Sequence, residues 1–250
     1  MNTLQFTETV GAIAADDYRT AKVFKQLGID FCYSGNKTLE EASLEADITE
    51  EQLRAALKHA ARIKVTPSQE FNNWDLDFLI GYITNTHHRY AKENAAIIYD
   101  LAQKAAYRNN EKHPELARLA TALFFFVDDL LNHLKKEEQI LFPNIRQIVK
   151  KKSNAKMTTY TTFGLIKESA TVMKKEHLAA GKELRHFRKL TNDYRLPADA
   201  SNSHKYLFEK MKEFENDLFL HVHLENNILF PKAIALDERI TLQARNVETR

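Results

Sequence analysis

Turn-forming residues are scarce in this chain, whose 250 residues include only six Gly and five Pro. A β-sandwich or a series of hairpins needs a turn signal roughly every ten residues, and an α/β fold needs glycine in its βα loops, so both are disfavoured. Cysteine is scarcer still: Cys32 stands alone, which excludes an intrachain disulfide and any zinc site built on two or more thiolates. Charge of one sign is also lacking. A net charge of +2 forces neither a nucleic-acid-binding stripe nor an acidic tail, and no nucleic-acid partner is expected. No uninterrupted apolar run reaches the roughly 18 residues of a membrane span, and MNTLQFTETVGAIAADDYRT has no basic start followed by an apolar run. A cytoplasmic protein without a membrane partner is expected. What remains is a folded chain, 44% hydrophobic and 28% charged, in which long helices are the default. Its ten histidines leave room for a metal site of nitrogen and oxygen ligands.

Residues 1–62 read as a small helical domain. Leu4 to Gly28 carries one amphipathic run that Gly28 can stop, because glycine accepts the left-handed cap conformation. The pairs Thr38 with Glu41 and Thr49 with Gln52 are capping boxes that open two more helices. Cys32 lies in the loop before them. Residues 63–74, with Pro67 among polar residues, read as a linker. Residues 75–240 then read as four long helices, about Leu76–Arg108, Pro114–Lys150, Tyr160–Leu190 and His204–Leu236, with 241–250 as a tail. Short connections between four helices imply a bundle. Pro143 and Pro231 should bend or end their helices.

An internal repeat organises the second part. DLLNHLKKEEQILFP, residues 129–143, matches DLFLHVHLENNILFP, residues 217–231, at a constant offset of 88. His133 and Glu137 thereby fall on His221 and Glu225. A further histidine precedes each pair, His87 in the first helix and His177 in the third, 90 residues apart. His and Glu at i and i+4 project from one helical face about one turn apart, and both pairs lie on the apolar stripe. A carboxylate and an imidazole aimed into a core are costly unless paired or bound to metal.

Four imidazoles and two carboxylates suit two ions, each with two terminal histidines and both glutamates shared, with a solvent-derived oxygen bridge leaving about one open position per ion. Such ligands favour iron over structural zinc, with manganese not distinguished by ligand type. His87 continues the stripe Ile80, Ile83, Ala91, Ala95, whereas its neighbour His88 points about 100° away on an α-helix. His223 corresponds to Lys135 in the repeat and is expected to face solvent. Glu138 and Glu176 are candidates to hold the outer ring nitrogens of ligating histidines, a solvated face being the alternative. His59, His113, His186 and His204 show no pairing and read as ordinary.

These residues resemble a known family. His87, HLKKE, KEH and HVHLE are similar to the hemerythrin-like di-iron four-helix bundle, and together with GIDFCYSGNKTLEEA they resemble the iron-sulfur cluster repair di-iron proteins, the repair of iron centres family. The resemblance covers nearly the whole chain. It implies an all-α fold, an antiparallel four-helix bundle after a small helical N-terminal domain. It also implies two non-haem iron ions bridged by Glu137 and Glu225 and an oxo or hydroxo group, with His87, His133, His177 and His221 as further ligands. The implied activity is a stress response that restores clusters damaged by nitric oxide or peroxide, by delivery of iron and with reactivity toward nitric oxide. Damaged iron-sulfur proteins and the small ligands NO, O2 or peroxide would be its partners. An O2- or NO-binding or sensing protein without repair activity is the alternative.

Where the family pattern has a Cys pair and two Gly, this chain reads Cys32, Tyr33, Ser34, Gly35. A role that needs vicinal thiols is thereby put in doubt. Cys32 is left as a redox thiol, a transient ligand or a packed side chain. A small N-terminal domain has a thin core, which a homodimer would enlarge.

Overall fold

The computed structural model describes residues 7–60, 70–109, 111–153 and 164–248. The regular structure of the described residues is helical, with an isolated bridge between Thr9 and Thr38 and no strand among them. None of their helices is long and apolar enough to cross a membrane. The expected all-α fold is therefore the observed one. Residues 61–62 of the expected N-terminal domain, 63–69 of the expected linker and the expected helix start at 160–163 lie outside the described residues.

The chain divides into two compact units, Met1–Ile80 with Asn144–Ala170 and Val222–Arg250, and Gly81–Pro143 with Thr171–His221. In the first unit, α1 (Val10–Asp16) and α2 (Tyr18–Gln26) replace the single run expected from Leu4 to Gly28. The break has a local cause. Asp17 adopts an extended backbone, and its side chain accepts from the Arg19 N–H, so one residue both ends α1 and caps α2. Gly28 stops α2 as expected, at φ +74°, with Ile29 N–H bonded to Phe24 O and Gly28 N–H to Lys25 O in a Schellman arrangement.

Both capping boxes form. Thr38 and Glu41 exchange bonds of 3.1 and 2.9 Å at the start of α3 (Leu39–Glu45), and Thr49 and Gln52 exchange bonds of 3.3 and 2.9 Å before α4 (Glu50–Ala60). Buried Val10, Phe24, Phe31, Leu39, Leu53 and Leu57 are among the apolar residues of this unit's core. A 3₁₀ turn, Phe71–Asn73, precedes α5 (Leu76–Tyr82).

The remaining elements are long helices. A π-helical segment, Ile83–His88, joins α5 without interruption to α6 (Arg89–Asn109). Two more interrupt the repeated helices: Glu137–Leu141 lies between α7 (Glu115–Lys136) and α8 (Phe142–Ser153), and Leu224–Leu229 between α10 (Asn202–His223) and α11 (Phe230–Glu248). The remaining long helix is α9 (Leu165–Leu190). Residues 241–248, expected as a tail, continue α11.

Pro143 and Pro231 neither end nor break their helices. Each sits just past a π segment, where the N–H of the preceding phenylalanine already bonds five residues back, to Glu137 O or Glu225 O, so the i−4 ladder is displaced where proline lacks its donor. In the second unit, Ala91, Ala95, Ala102 and Ala105 give α6 a small-residue stripe, and α7 presents buried Leu116, Leu119, Leu123, Phe126 and Leu130. Phe126 meets Phe187 of α9 edge to face at 5.2 Å.

Candidate metal centre

Four histidines and a glutamate converge inside the second unit. Glu137 is fully buried on the π segment after α7, and each of its carboxylate oxygens faces two imidazoles. Oε2 lies 3.5 Å from His88 Nε2 and 4.0 Å from His221 Nε2. Oε1 lies 3.4 Å from His133 Nε2 and 3.8 Å from His177 Nε2. Within each pair the ring nitrogens approach closely, 3.1 Å for His88 with His221 and 2.9 Å for His133 with His177.

His88, Glu137 and His221 thus offer ligand atoms mutually within 4.8 Å, as do His133, Glu137 and His177. Two nitrogens bound to one transition-metal ion at about 2.1 Å and near a right angle would stand about 3 Å apart, so each pair has the spacing that a shared ion imposes. Glu225, one turn beyond His221 on the same continuous helix, is also fully buried.

The outer nitrogens show how two of the rings are aimed. His88 Nδ1–H donates to Glu138 Oε1 at 2.8 Å, and Lys92 Nζ donates to both oxygens of Glu138 at 2.7 Å. His133 Nδ1–H donates to Glu176 Oε2 at 2.8 Å, and Lys136 holds the other oxygen at 2.7 Å. A proton fixed on Nδ1 leaves the Nε2 lone pair directed inward, as a metal ligand requires. The hydrogen bond from His88, aided by Lys92, holds the Glu138 carboxyl down at about 2. For Glu176, burial acts upward, and the bonds from Lys136 and His133 outweigh it, holding the carboxyl below its ordinary range. Both glutamates therefore occupy the supporting positions for which the sequence made them candidates.

Two expectations need correction. His87 is buried, but its Nδ1 meets Asp217 Oδ1 at 2.8 Å and its ring lies parallel to that of His221 at 6.1 Å, outside the group formed by the other rings. His88 stands in its place. The reason is the π segment at 83–88: Arg89 N–H bonds back to Thr84 O, five residues away, so the extra residue in that turn breaks the 100° step on which the choice of His87 rested. The sequence did hold a signal, since His88 and His177 are 89 residues apart, nearer the repeat offset of 88 than the 90 that separates His87 from His177.

His223 is the other correction. Expected at the surface, it is 1% exposed, packed edge-on against Phe31 at 5.3 Å, and its Nδ1 accepts from Asn227 Nδ2 at 3.0 Å. Burial pushes its pKa down to about 3, so the ring is neutral. Beside it, Asn226 Nδ2 donates to Cys32 O at 3.0 Å and Asn227 Nδ2 to Phe31 O at 2.8 Å. Two glycines admit this clamp: a Cβ on Gly11 would lie 2.5 Å from Asn227 Oδ1, and one on Gly35 would lie 2.8 Å from it. No local sequence pattern singles out either asparagine. Cys32 itself is buried, and desolvation raises its thiol well above its ordinary range, which keeps it protonated. It belongs to none of the metal-capable groups among the described residues.

Comparison with known proteins gives the family. The sequence profile of the hemerythrin HHE cation-binding domain matches residues 79–233, and that of a domain of unknown function (DUF542) matches residues 6–61. The chain belongs to the hemerythrin HHE cation-binding family. Within it, the chain is 32% identical over 233 residues to the iron-sulfur cluster repair protein YtfE of Musicola paradisiaca, across 91% of this chain and 96% of the relative. It is 31% identical over 227 residues to the protein of that name from Yersinia pestis and 30% identical over 227 residues to that from Yersinia pseudotuberculosis, with the same coverage of both chains.

Proposed function

We propose that this protein repairs damaged iron-sulfur clusters and that it does so with a non-haem iron pair held in the cluster described above. His88 and His221 would hold one ion and His133 and His177 the other, with Glu137 and Glu225 shared between them. The observation that carries this reading is the division of four imidazoles into two close pairs, one on each oxygen of a single buried carboxylate. Glu225 enters by the repeat that maps it on Glu137 and by its burial one turn beyond His221. When bound, such a pair supplies a redox-active centre able to take NO, O2 or peroxide, and a store of iron for a damaged cluster.

The protein's own groups bind and orient. Burial excludes bulk water from Glu137 and the four rings, which strengthens electrostatic interaction there. The chains Lys92–Glu138–His88 and Lys136–Glu176–His133 keep each Nδ1 protonated and each Nε2 inward, and a carboxylate behind an imidazole makes it a stronger donor.

Repair is favoured over carriage or sensing of O2 or NO because the match to the repair proteins spans 91% of this chain, and a second domain profile covers residues 6–61. Damaged iron-sulfur proteins are thus the proposed partners. The deciding experiment compares a strain lacking the protein with its parent after a pulse of nitric oxide. Slower recovery of a cluster enzyme, restored by the wild-type gene and not by Glu137→Ala, is expected; recovery at the parental rate would remove the repair reading even if the purified protein contains iron.

A further inference from the structure

The second unit holds another cavity whose residues are not part of the metal cluster. It has a volume of about 520 Å³ and is built where α7 begins, α9 ends and α10 begins. His204 of α10 lines it. This imidazole is 1% exposed, and neither ring nitrogen has a hydrogen-bond partner. Burial and the neighbouring His113 ring, 5.4 Å away, hold it below its ordinary pKa, so it is neutral and presents one donor and one acceptor. A buried polar group left unsatisfied costs free energy and calls for an explanation.

Two guanidiniums line the same cavity. Arg118 and Arg195 are exposed, and among the described residues neither is engaged in an ion pair. The carboxylate on the wall, Glu115, is already occupied, its Oε1 accepting from His113 Nδ1 at 3.1 Å. The rest of the lining includes apolar Leu196, Pro197 and Phe208. The rim is also set in place. Asn192, Asp193 and Tyr194 have φ of 49°, 57° and 58°, three successive left-handed residues that only a well-determined loop retains. Tyr194 anchors them, buried, with its N–H on Thr191 Oγ1 at 3.1 Å and its ring 5.8 Å from Phe208.

We propose that this cavity binds a small organic anion, a carboxylate joined to an apolar body. The carboxylate meets the two arginine forks and the His204 ring; the apolar part lies on Leu196, Pro197 and Phe208. Guanidinium suits a carboxylate because its donors match two oxygens in one plane. The volume is that of a site for a small organic molecule, and the lining joins charged and polar groups to an apolar wall. No part of this proposal depends on the metal centre.

The test titrates full-length, iron-loaded protein with benzoate by calorimetry, with benzyl alcohol and inorganic phosphate as comparison probes. Saturable binding of benzoate is expected, with weaker binding of both comparison probes and an unchanged iron absorption spectrum. Arg118→Gln combined with Arg195→Gln should weaken benzoate at least about tenfold, the scale of one charge-assisted hydrogen bond, with iron content and unfolding temperature unchanged. Because both arginines are exposed, this variant is expected to fold. His204→Phe should also weaken benzoate. The proposal is overturned if benzyl alcohol binds as well as benzoate, if phosphate binds in its place, if the double arginine variant binds like the parent, or if benzoate alters the iron spectrum.

Discussion

The two copies of the repeat use equivalent positions for different purposes. In the first, Glu137 is followed by Glu138, which faces outward to take a proton-bearing nitrogen from His88 and the ammonium of Lys92. In the second, Glu225 is followed by Asn226, which donates to the Cys32 carbonyl. Lys135 of the first copy is exposed, while its counterpart His223 is buried against Phe31. What is shared is the buried pair of His and Glu one turn apart. What differs is the side turned away from it: one copy supports the neighbouring His88 ring by charge, and the other serves as a packing surface for the Cys32 loop. A repeat therefore identifies the buried His and Glu pair more reliably than it identifies the exposure of the residues around it, since the neighbours of each copy are not repeated.

The comparison can be broken most severely at Glu137. Glu137→Ala removes the group that both imidazole pairs share, and nearly all bound iron should be lost, as read by metal analysis of purified protein. Iron retained at the wild-type level would remove the shared-carboxylate arrangement. Next comes the choice between adjacent histidines. With one ligand pair per ion, His88→Ala should leave about one ion per chain in place of two, whereas His87→Ala should keep both and lower only the unfolding temperature. The reverse result would return His87 to the centre.

The supporting carboxylate is expected to matter less. Glu138→Gln keeps the shape of the side chain and weakens its hold on His88, which should lower affinity for one ion by about 10–100-fold in a chelator competition.

The second copy is tested through stability. Gly11→Ala forces a methyl against Asn227 Oδ1 and the Gly35 carbonyl, and Asn227→Ala leaves the Phe31 carbonyl without this donor; each should destabilise the protein by about 1–3 kcal/mol in denaturant melts. Iron content should stay unchanged, and a loss of iron in either variant would mean that the clamp also positions Glu225. Lys92→Ala should be the mildest change, about 0–1 kcal/mol and removed by salt, because the ammonium is substantially exposed.

Much of this arrangement is legible in the sequence. Few breakers and a 3.6-residue apolar period gave the long helices, the capping boxes placed α3 and α4, and a fixed offset singled out His133, Glu137, His221 and Glu225. His177 followed from its place in the third helix. Legibility failed where the helix departs from its ordinary period. Periodicity points away from His88 because stepping by 100° per residue assumes an α-helix, and Ile83–His88 is not one. The same departure explains why Pro143 and Pro231 are carried within helices. Long-range contacts were the other blind spot: Asn226, Asn227 and His223 owe their burial and bonding to a loop about 195 residues earlier, a separation no local pattern reports. The split of the first run into α1 and α2 lies between these cases, since Asp17 is an ordinary cap residue hidden inside a periodic stretch.

The π segments also govern how this sequence can change in length. Each holds a residue more than α-helical winding would place in the same turn, so losing one residue within 224–229 would close the widened turn into ordinary helix. The helix would survive, but the residues on one side would rotate by about 100° relative to those on the other. Glu225 and the Asn226–Asn227 clamp could then no longer both face their partners. These helices should tolerate many substitutions on their exposed faces and almost no single-residue deletions at the three π segments. A variant with such a deletion would be a stable helical protein that has lost either its metal centre or its grip on the Cys32 loop.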